Sequence, residues 1–166
     1  EKLMDVGAER AVLSGLLQYG IDGYVSIADI ISSESFVNTN NAIIFKCIEY
    51  VLTNDQHPDI STILSAAEKL KYIEQISTSQ EINYLKSLYD FPISEKNILG
   101  FAVQLKKFEF ARKIKKLTLQ IHHEIDDING SESIDDIIGI LEKPITDFLR
   151  EDDCGENPEK IGDGVE

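Results

Sequence analysis

Basic residues are scarce in this chain of 166 residues: Lys and Arg number 16 against 30 Asp and Glu, for a formal net charge of −14. Neutralising nucleic-acid phosphates takes Lys and Arg gathered on one exposed face, so this balance argues against a dedicated nucleic-acid binder. Long apolar runs are missing too. No stretch approaches the roughly 18 residues of a membrane span, and the N-terminus lacks the basic-then-apolar order of a secretion signal. A soluble, cytoplasmic chain with no membrane partner is expected. The only two cysteines, Cys47 and Cys154, make no C-x-x-C pair, which suits a reducing compartment. Cys47 reads as a small core hydrophobe and Cys154 as a free thiol in a tail. The sequence opens on Glu1 rather than Met, so a processed or partial chain is expected.

Signatures of catalysis are absent as well. A phosphate-binding loop needs G-x-x-x-x-G-K-[ST], because backbone amides, Lys and hydroxyl jointly hold phosphate and magnesium. The one G-x-x-x-x-G, Gly15 to Gly20, is followed by Ile21-Asp22. Taking Gly130 as the sixth position of a calcium loop puts Ile125 at the first, where an oxygen ligand is needed. His122, His123 and Glu124 are consecutive, and neighbours on a helix point about 100° apart, which suits a solvated face better than a shared ion. No Ser/His/Asp or Cys/His set carries a supporting motif. The expectation is therefore no catalytic, cofactor-binding or metal-ligating residue in this segment.

What is present is helical periodicity. With 42% hydrophobic residues the chain can bury one ordinary core. Ala8, Ala11, Val12, Gly15, Leu16 and Tyr19 follow the spacing of a buried helical stripe, ended by Gly20 through Gly23. A short helix fits Val25 to Ile31. A third fits Asn41 to Leu52 and stops at the turn-forming run before Pro58. A fourth starts after a cap at Asp59 or Ser61, and a fifth covers Gln80 to Leu88. From Ser94 the apolar spacing continues to Ile128 without a proline, a rod on the order of 50 Å at about 1.5 Å per residue. Asn129-Gly130 stops it, and Ser133 with Asp136 is a capping-box start for a return arm. Pro144 inside that arm predicts a kink or a break.

The predicted class is all-α: a compact bundle of about five short helices followed by a long helical hairpin. The expected divisions are a globule over 1–92, a self-association hairpin over 93–150 and an acidic linker over 151–166. Charge follows them unevenly, with a net −7 from Glu1 to Asp90, +5 from Phe91 to His123 and −12 from Glu124 onward. Lys106, Lys107, Lys113, Lys115 and Lys116 are thus the only candidates for a nucleic-acid contact, and little direct DNA binding is expected. A helix this long exceeds what the globule can cover, and its apolar stripe needs a partner helix. The candidate self-association residues are Phe108, Phe110, Ile114, Leu117, Ile121 and Ile125 on the first arm and Ile138, Leu141 and Ile145 on the second.

Five segments carry a resemblance in the same order. "AERAVLSGLL" (Ala8 to Leu17) resembles the opening helix of the N-terminal domain of DnaB-type replicative DNA helicases. "ESFVNTNNAIIFKCI" (Glu34 to Ile48) is similar to that family's E-x-F-x-x-x-x-[HN]-x-x-[IL]-F-x-x-[IM]. "PDISTIL" resembles its entry to the fourth helix, with the order around Asp59 altered. "EINYLKSL" resembles its Tyr-Leu helix, and "NILGFAVQLKK" its N-[IL]-x-x-[YF]-A-x-x-[VL]-[KR]. The resemblance covers about Ala8 to Arg150, with Ser79-Gln80 in place of the usual Gly-Gly and with an unusual Pro144. It implies hairpin pairing between subunits, a homo-oligomeric ring of dimers, and docking of primase and of a helicase loader, in a bacterial or phage-infected cell or a plastid. It also implies a motor domain, carrying ATP and Mg, beyond this segment, in a parent that unwinds DNA 5′ to 3′ at the fork. The alternative is a stand-alone helical adaptor such as the helicase-docking domain of a primase. With no phosphate-binding loop, this segment is expected neither to bind nor to hydrolyse ATP. Isothermal titration showing micromolar ATP affinity would overturn that expectation.

Overall fold

The computed structural model describes residues 3–153. The expected tail thiol Cys154 and linker residues 155–166 lie outside the described residues. Within them all regular structure is helical: α1 (Val6–Tyr19), α2 (Ile21–Val25), a 3-10 turn (Ser33–Ser35), α3 (Thr39–Thr53), α4 (Ile60–Lys69), α5 (Ile73–Ile76), α6 (Ser79–Tyr89), α7 (Glu95–Asp126) and α8 (Ile134–Asp153). The all-α expectation holds. The chain divides into two compact units, the first ending at Ala111 and the second beginning at Arg112.

Helix starts in the first unit are set by side chains that satisfy the otherwise unpaired amides of the opening turn. The Ala8 amide donates to Asp5 Oδ1 at 2.9 Å and starts α1. Asn38 Oδ1 accepts from Asn41 N at 3.0 Å for α3. Asp59 and Thr62 exchange bonds of 2.9 Å each way, the box that starts α4. Backbone and hydroxyl donors from Thr62 and Ser61 hold the Asp59 carboxyl below its ordinary range. Thr78 caps α6.

The core forms where α3 meets α1 and α4, and α1 also meets α2 and α6. Val12, Leu13, Leu16, Leu17, Phe45, Ile48, Ile63, Leu85 and Leu88 are fully or almost fully buried. Phe36 tilts against Phe45 with ring centroids 4.9 Å apart. The first part of α7 joins this core through Ile98, Ala102 and Leu105, spaced four and three apart on one face. Ile98 fits because Gly15 and Gly23 face it: a Cβ on Gly15 would lie 2.5 Å from Ile98 Cγ1, and one on Gly23 3.1 Å from its Cδ1.

That fit accounts for one difference from the sequence reading. Gly20, at φ +59°, turns the chain out of α1, but Gly23 lies inside α2 and makes room for Ile98. The second helix accordingly occupies Ile21–Val25 instead of Val25 to Ile31, and the residues after it form turns, with Ile27 and Ile31 still buried. The 3-10 turn and the four-residue α5 have no counterpart in the sequence reading, being shorter than a helical period can reveal. Helix α8 runs through Pro144 to Asp153, so of the kink or break expected at Pro144 the break does not occur, and residues 151–153 are helical.

Several polar groups inside the first unit are joined through Glu9. Glu9 on α1 is 0% exposed and accepts from the amides of Val37 at 2.6 Å and Asn38 at 3.4 Å and from Asn41 Nδ2 at 2.8 Å. Tyr84 on α6 donates to Asn41 Oδ1 at 2.8 Å. Glu9→Ala would leave the buried Asn41 side-chain amide without this acceptor, at about 1–3 kcal/mol, and the part-buried amides of Val37 and Asn38 without theirs. A loss of about 2 kcal/mol or more is expected in chemical denaturation, and a loss below about 1 kcal/mol would contradict it.

Candidate functional site

The second unit is the hairpin made by the end of α7, the connection at 127–133 and α8. Its turn is held by carboxylates. Glu132 accepts from the amides of Gly130 at 2.9 Å and Asn129 at 3.3 Å, and Asn129 Oδ1 accepts from Ser131 N at 3.0 Å. Gly130 takes φ +92°, a left-handed conformation suited to glycine. Ser133 and Asp136 then form the expected box, Asp136 N donating to Ser133 Oγ at 3.1 Å and Ser133 N to Asp136 Oδ2 at 3.2 Å. On the last turns of α7, His122 Nε2 is 3.5 Å from Asp126 Oδ2 and His123 Nε2 is 4.0 Å from Asp127 Oδ2, all four side chains exposed. Each pairing offers two ligands only, and no group of three or more His, Cys, Asp or Glu that could hold a metal occurs among the described residues.

From Ile134 to Glu151 no residue of α8 is buried. Ile137, Ile140, Pro144 and Phe148 are half-buried, as are Leu117, Ile121 and Glu124 on α7. Exposed residues form a second row, with Ile134 at 74%, Ile138 at 45%, Leu141 at 51%, Ile145 at 38% and Leu149 at 53%. On α7 its counterparts are Ile114 and Ile125. At about 100° per residue, the exposed row on each arm is displaced from the half-buried row in the direction of advancing sequence. The arms are antiparallel, so these displacements carry both exposed rows to one face of the hairpin. The opposite face holds a groove of about 610 Å³, with Leu117, Pro144 and Phe148 below and Lys116, Lys143, Asp147 and Glu151 among its polar lining. The hairpin has one apolar side and one of mixed charge.

The structure thus places the candidate residues in three settings. Ile114, Ile125, Ile138, Leu141 and Ile145 are exposed on the apolar face. Leu117 and Ile121 are half-buried between the arms. Phe108 and Phe110 belong to the stretch of α7 in the first unit, Phe108 half-buried and Phe110 38% exposed. The sequence reading missed Ile134 and Leu149, whose spacing of four from Ile138 and Ile145 was the available signal.

The first unit has its own concavity of about 450 Å³ between Tyr24, Lys46, Glu49, Tyr50, Thr53, Leu70 and Tyr72. Its polar groups answer each other: Tyr24 donates to Glu49 Oε1 at 3.1 Å and Lys46 Nζ to the Tyr72 hydroxyl at 3.2 Å. Burial, then the Glu49 charge and hydrogen bond, push Tyr24 up to about 12. Burial pushes the Glu49 carboxyl up and the Cys47 thiol up to about 11. Among the described residues no helix is long and apolar enough to cross a membrane.

The described residues thus make a helical globule whose last long helix continues into a hairpin with one uncovered apolar face. The family model described as "DnaB-like helicase N terminal domain" matches residues 1–107, and the chain belongs to that family. Among solved structures, the N-terminal domain of DnaB helicase from Mycobacterium tuberculosis is similar, with a TM-score of 0.73 at 14% identity over 89% of this chain and 99% of that one. No curated protein matches.

Glu132 yields a pH dependence. Its own backbone amide, with those of Asn129, Gly130 and Ser131, holds its carboxyl below the ordinary value of 4.5. A carboxyl lowered in the folded state stabilises the turn in full above its ordinary value, and the contribution is lost as pH falls through the lowered one. Carboxyl-detected NMR titration should place the Glu132 midpoint below 4.5. A midpoint at or above the ordinary value would remove this role.

Proposed function

We propose that this chain is the assembly and partner-docking domain of a hexameric replicative DNA helicase, and that its hairpin pairs with the hairpin of another copy. The observation that carries this reading is the row Ile134, Ile138, Leu141, Ile145 and Leu149, exposed along one face of α8 with Ile114 and Ile125 beside it. Monomeric proteins rarely present so continuous an apolar strip to water. Burying such side chains contributes about 1.5 to 3 kcal/mol each before the costs of association, enough for pairing at micromolar concentration. Membership of the DnaB-like N-terminal domain family supports the same reading.

In this proposal the longer protein carries the motor elsewhere. There ATP and Mg would drive 5′ to 3′ unwinding at the replication fork in the cytoplasm, and the present domain would organise the ring. Primase and a helicase loader are its proposed docking partners. DNA contact by this domain itself is expected to be slight, given the excess of acidic over basic residues.

Ile114→Asp or Leu141→Asp places a charge on the apolar face and should convert the oligomer to a monomer, with helical circular dichroism and the melting of the globule retained. Light scattering coupled to size exclusion checks this. An unmodified chain that stays monomeric at about 100 μM would end the self-association reading and favour a stand-alone adaptor.

A further inference from the structure

In a chain with almost two acids for each base, Lys46 and Lys69 make no ion pair among the described residues. Both reach instead over tyrosine rings at the concavity of the first unit. Lys46 Nζ lies 5.3 Å from the ring centroid of Tyr72 and donates to its hydroxyl at 3.2 Å, and Lys69 Nζ lies 5.9 Å from the ring centroid of Tyr50. Lys71 stands in sequence between the lining residues Leu70 and Tyr72. Three of the six basic residues from Glu1 to Asp90 are thus at or beside one concavity. Its volume, about 450 Å³, falls within the roughly 300–1,000 Å³ of ligand sites, and its wall is aromatic and apolar through Tyr24, Tyr50, Tyr72 and Leu70. One face of α3 makes the floor, since Lys46, Glu49, Tyr50 and Thr53 recur at helical spacing. Glu49 is the one carboxylate in the lining, and burial raises its pKa, which marks a place partly withdrawn from water. Its Oε1 accepts from the Tyr24 hydroxyl at 3.1 Å, while Oε2 takes no hydrogen bond among the described residues and is open to an amide N–H. Glu68 and Glu74, exposed in the same stretch as Lys69 and Lys71, line no part of the cavity.

We infer that this concavity is a docking site for an acidic peptide segment of a partner protein, with a carboxylate against Lys46 and Lys69 and an adjacent aromatic or branched apolar side chain between the tyrosines and Leu70. The rings already hold both ammonium groups at the rim, so the carboxylate meets donors placed before it arrives. A phosphate is a poorer match. It would bring close to two negative charges beside Glu49, into a stretch whose net charge from Glu1 to Asp90 is already −7. The cavity lies wholly within the first unit, so the inference stands apart from hairpin pairing: a chain that never self-associates would still present it.

The test titrates the isotope-labelled full chain with N-acetyl-Asp-Phe-amide and follows backbone amide resonances by NMR. Residues 46–53 and 70–72 should shift saturably. The Asn-Phe counterpart, equal in shape and uncharged, should bind about tenfold more weakly, and so should the acidic probe to a chain carrying Lys46→Gln and Lys69→Gln. Gln at position 46 retains a donor for the Tyr72 hydroxyl, and helical circular dichroism is the folding control. Should that variant unfold, the comparison of the two peptides on the unmodified chain decides alone. Equal binding of the two peptides overturns carboxylate recognition and with it the proposal, as does the absence of a saturable shift at these residues. Tighter binding of adenosine monophosphate than of the acidic peptide overturns the peptide in favour of a nucleotide. None of these results bears on the light-scattering outcome for the hairpin, so the two readings fail separately.

Discussion

Much of the first unit is organised around one buried carboxylate. Glu9 sits on α1 at a place where burial without partners would be prohibitive, and it takes its donors from the segment leading into α3 and from α3 itself. Because Asn38 both donates to Glu9 and caps α3, the anion fixes where that helix begins. Because Asn41 also accepts from Tyr84, the position of α6 is fixed by the same chain of bonds. Glu9, Asn41 and Tyr84 come from three of the segments that carry the family resemblance. Their shared purpose is structural: a fully satisfied buried polar network specifies one arrangement of helices where apolar packing alone would tolerate several.

The two units differ in how they are held. In the first, α7 is anchored by Ile98 against Gly15, by Gln104 Nε2 donating to Asp5 Oδ2 at 2.6 Å, and by the buried Glu109, which accepts from Ser35 Oγ at 2.5 Å. In the second, every described apolar side chain keeps some contact with water, and order comes from the turn carboxylates and the half-buried seam. Stability and interaction capacity are thereby separated: residues that fold the globule are unavailable to a partner, and those that could meet a partner add little to folding.

Helices α1, α3, α4 and α6 were legible because each has a full apolar period and a polar cap at its start, as with Asp59 before Ile60. The hairpin was legible from Asn129-Gly130 and the Ser133/Asp136 box. What escaped was decided by contacts distant in sequence. Gly23 reads as a helix stop until Ile98, far along the chain, is known to press on it. Glu9 reads as an ordinary surface acid of a helix, since nothing local marks it as the acceptor for Val37, Asn38 and Asn41. On α8 the apolar list was readable, but only the structure sorts it into Ile137, Ile140 and Phe148 against the other arm and Ile138, Leu141 and Ile145 towards solvent. Pro144 does not break α8, because a helix can lose one amide donor and continue.

The apolar row of α8 has a thermal consequence. Its members are Ile and Leu alone, side chains with no polar atom to be hydrated. Covering them removes water whose release is entropic near room temperature and carries a negative heat-capacity change, whatever partner does the covering. Such contact loosens on cooling while hydrogen bonds to charged groups hold or strengthen. Any partner covering this face would therefore be held least firmly in a chilled solution and more firmly on gentle warming.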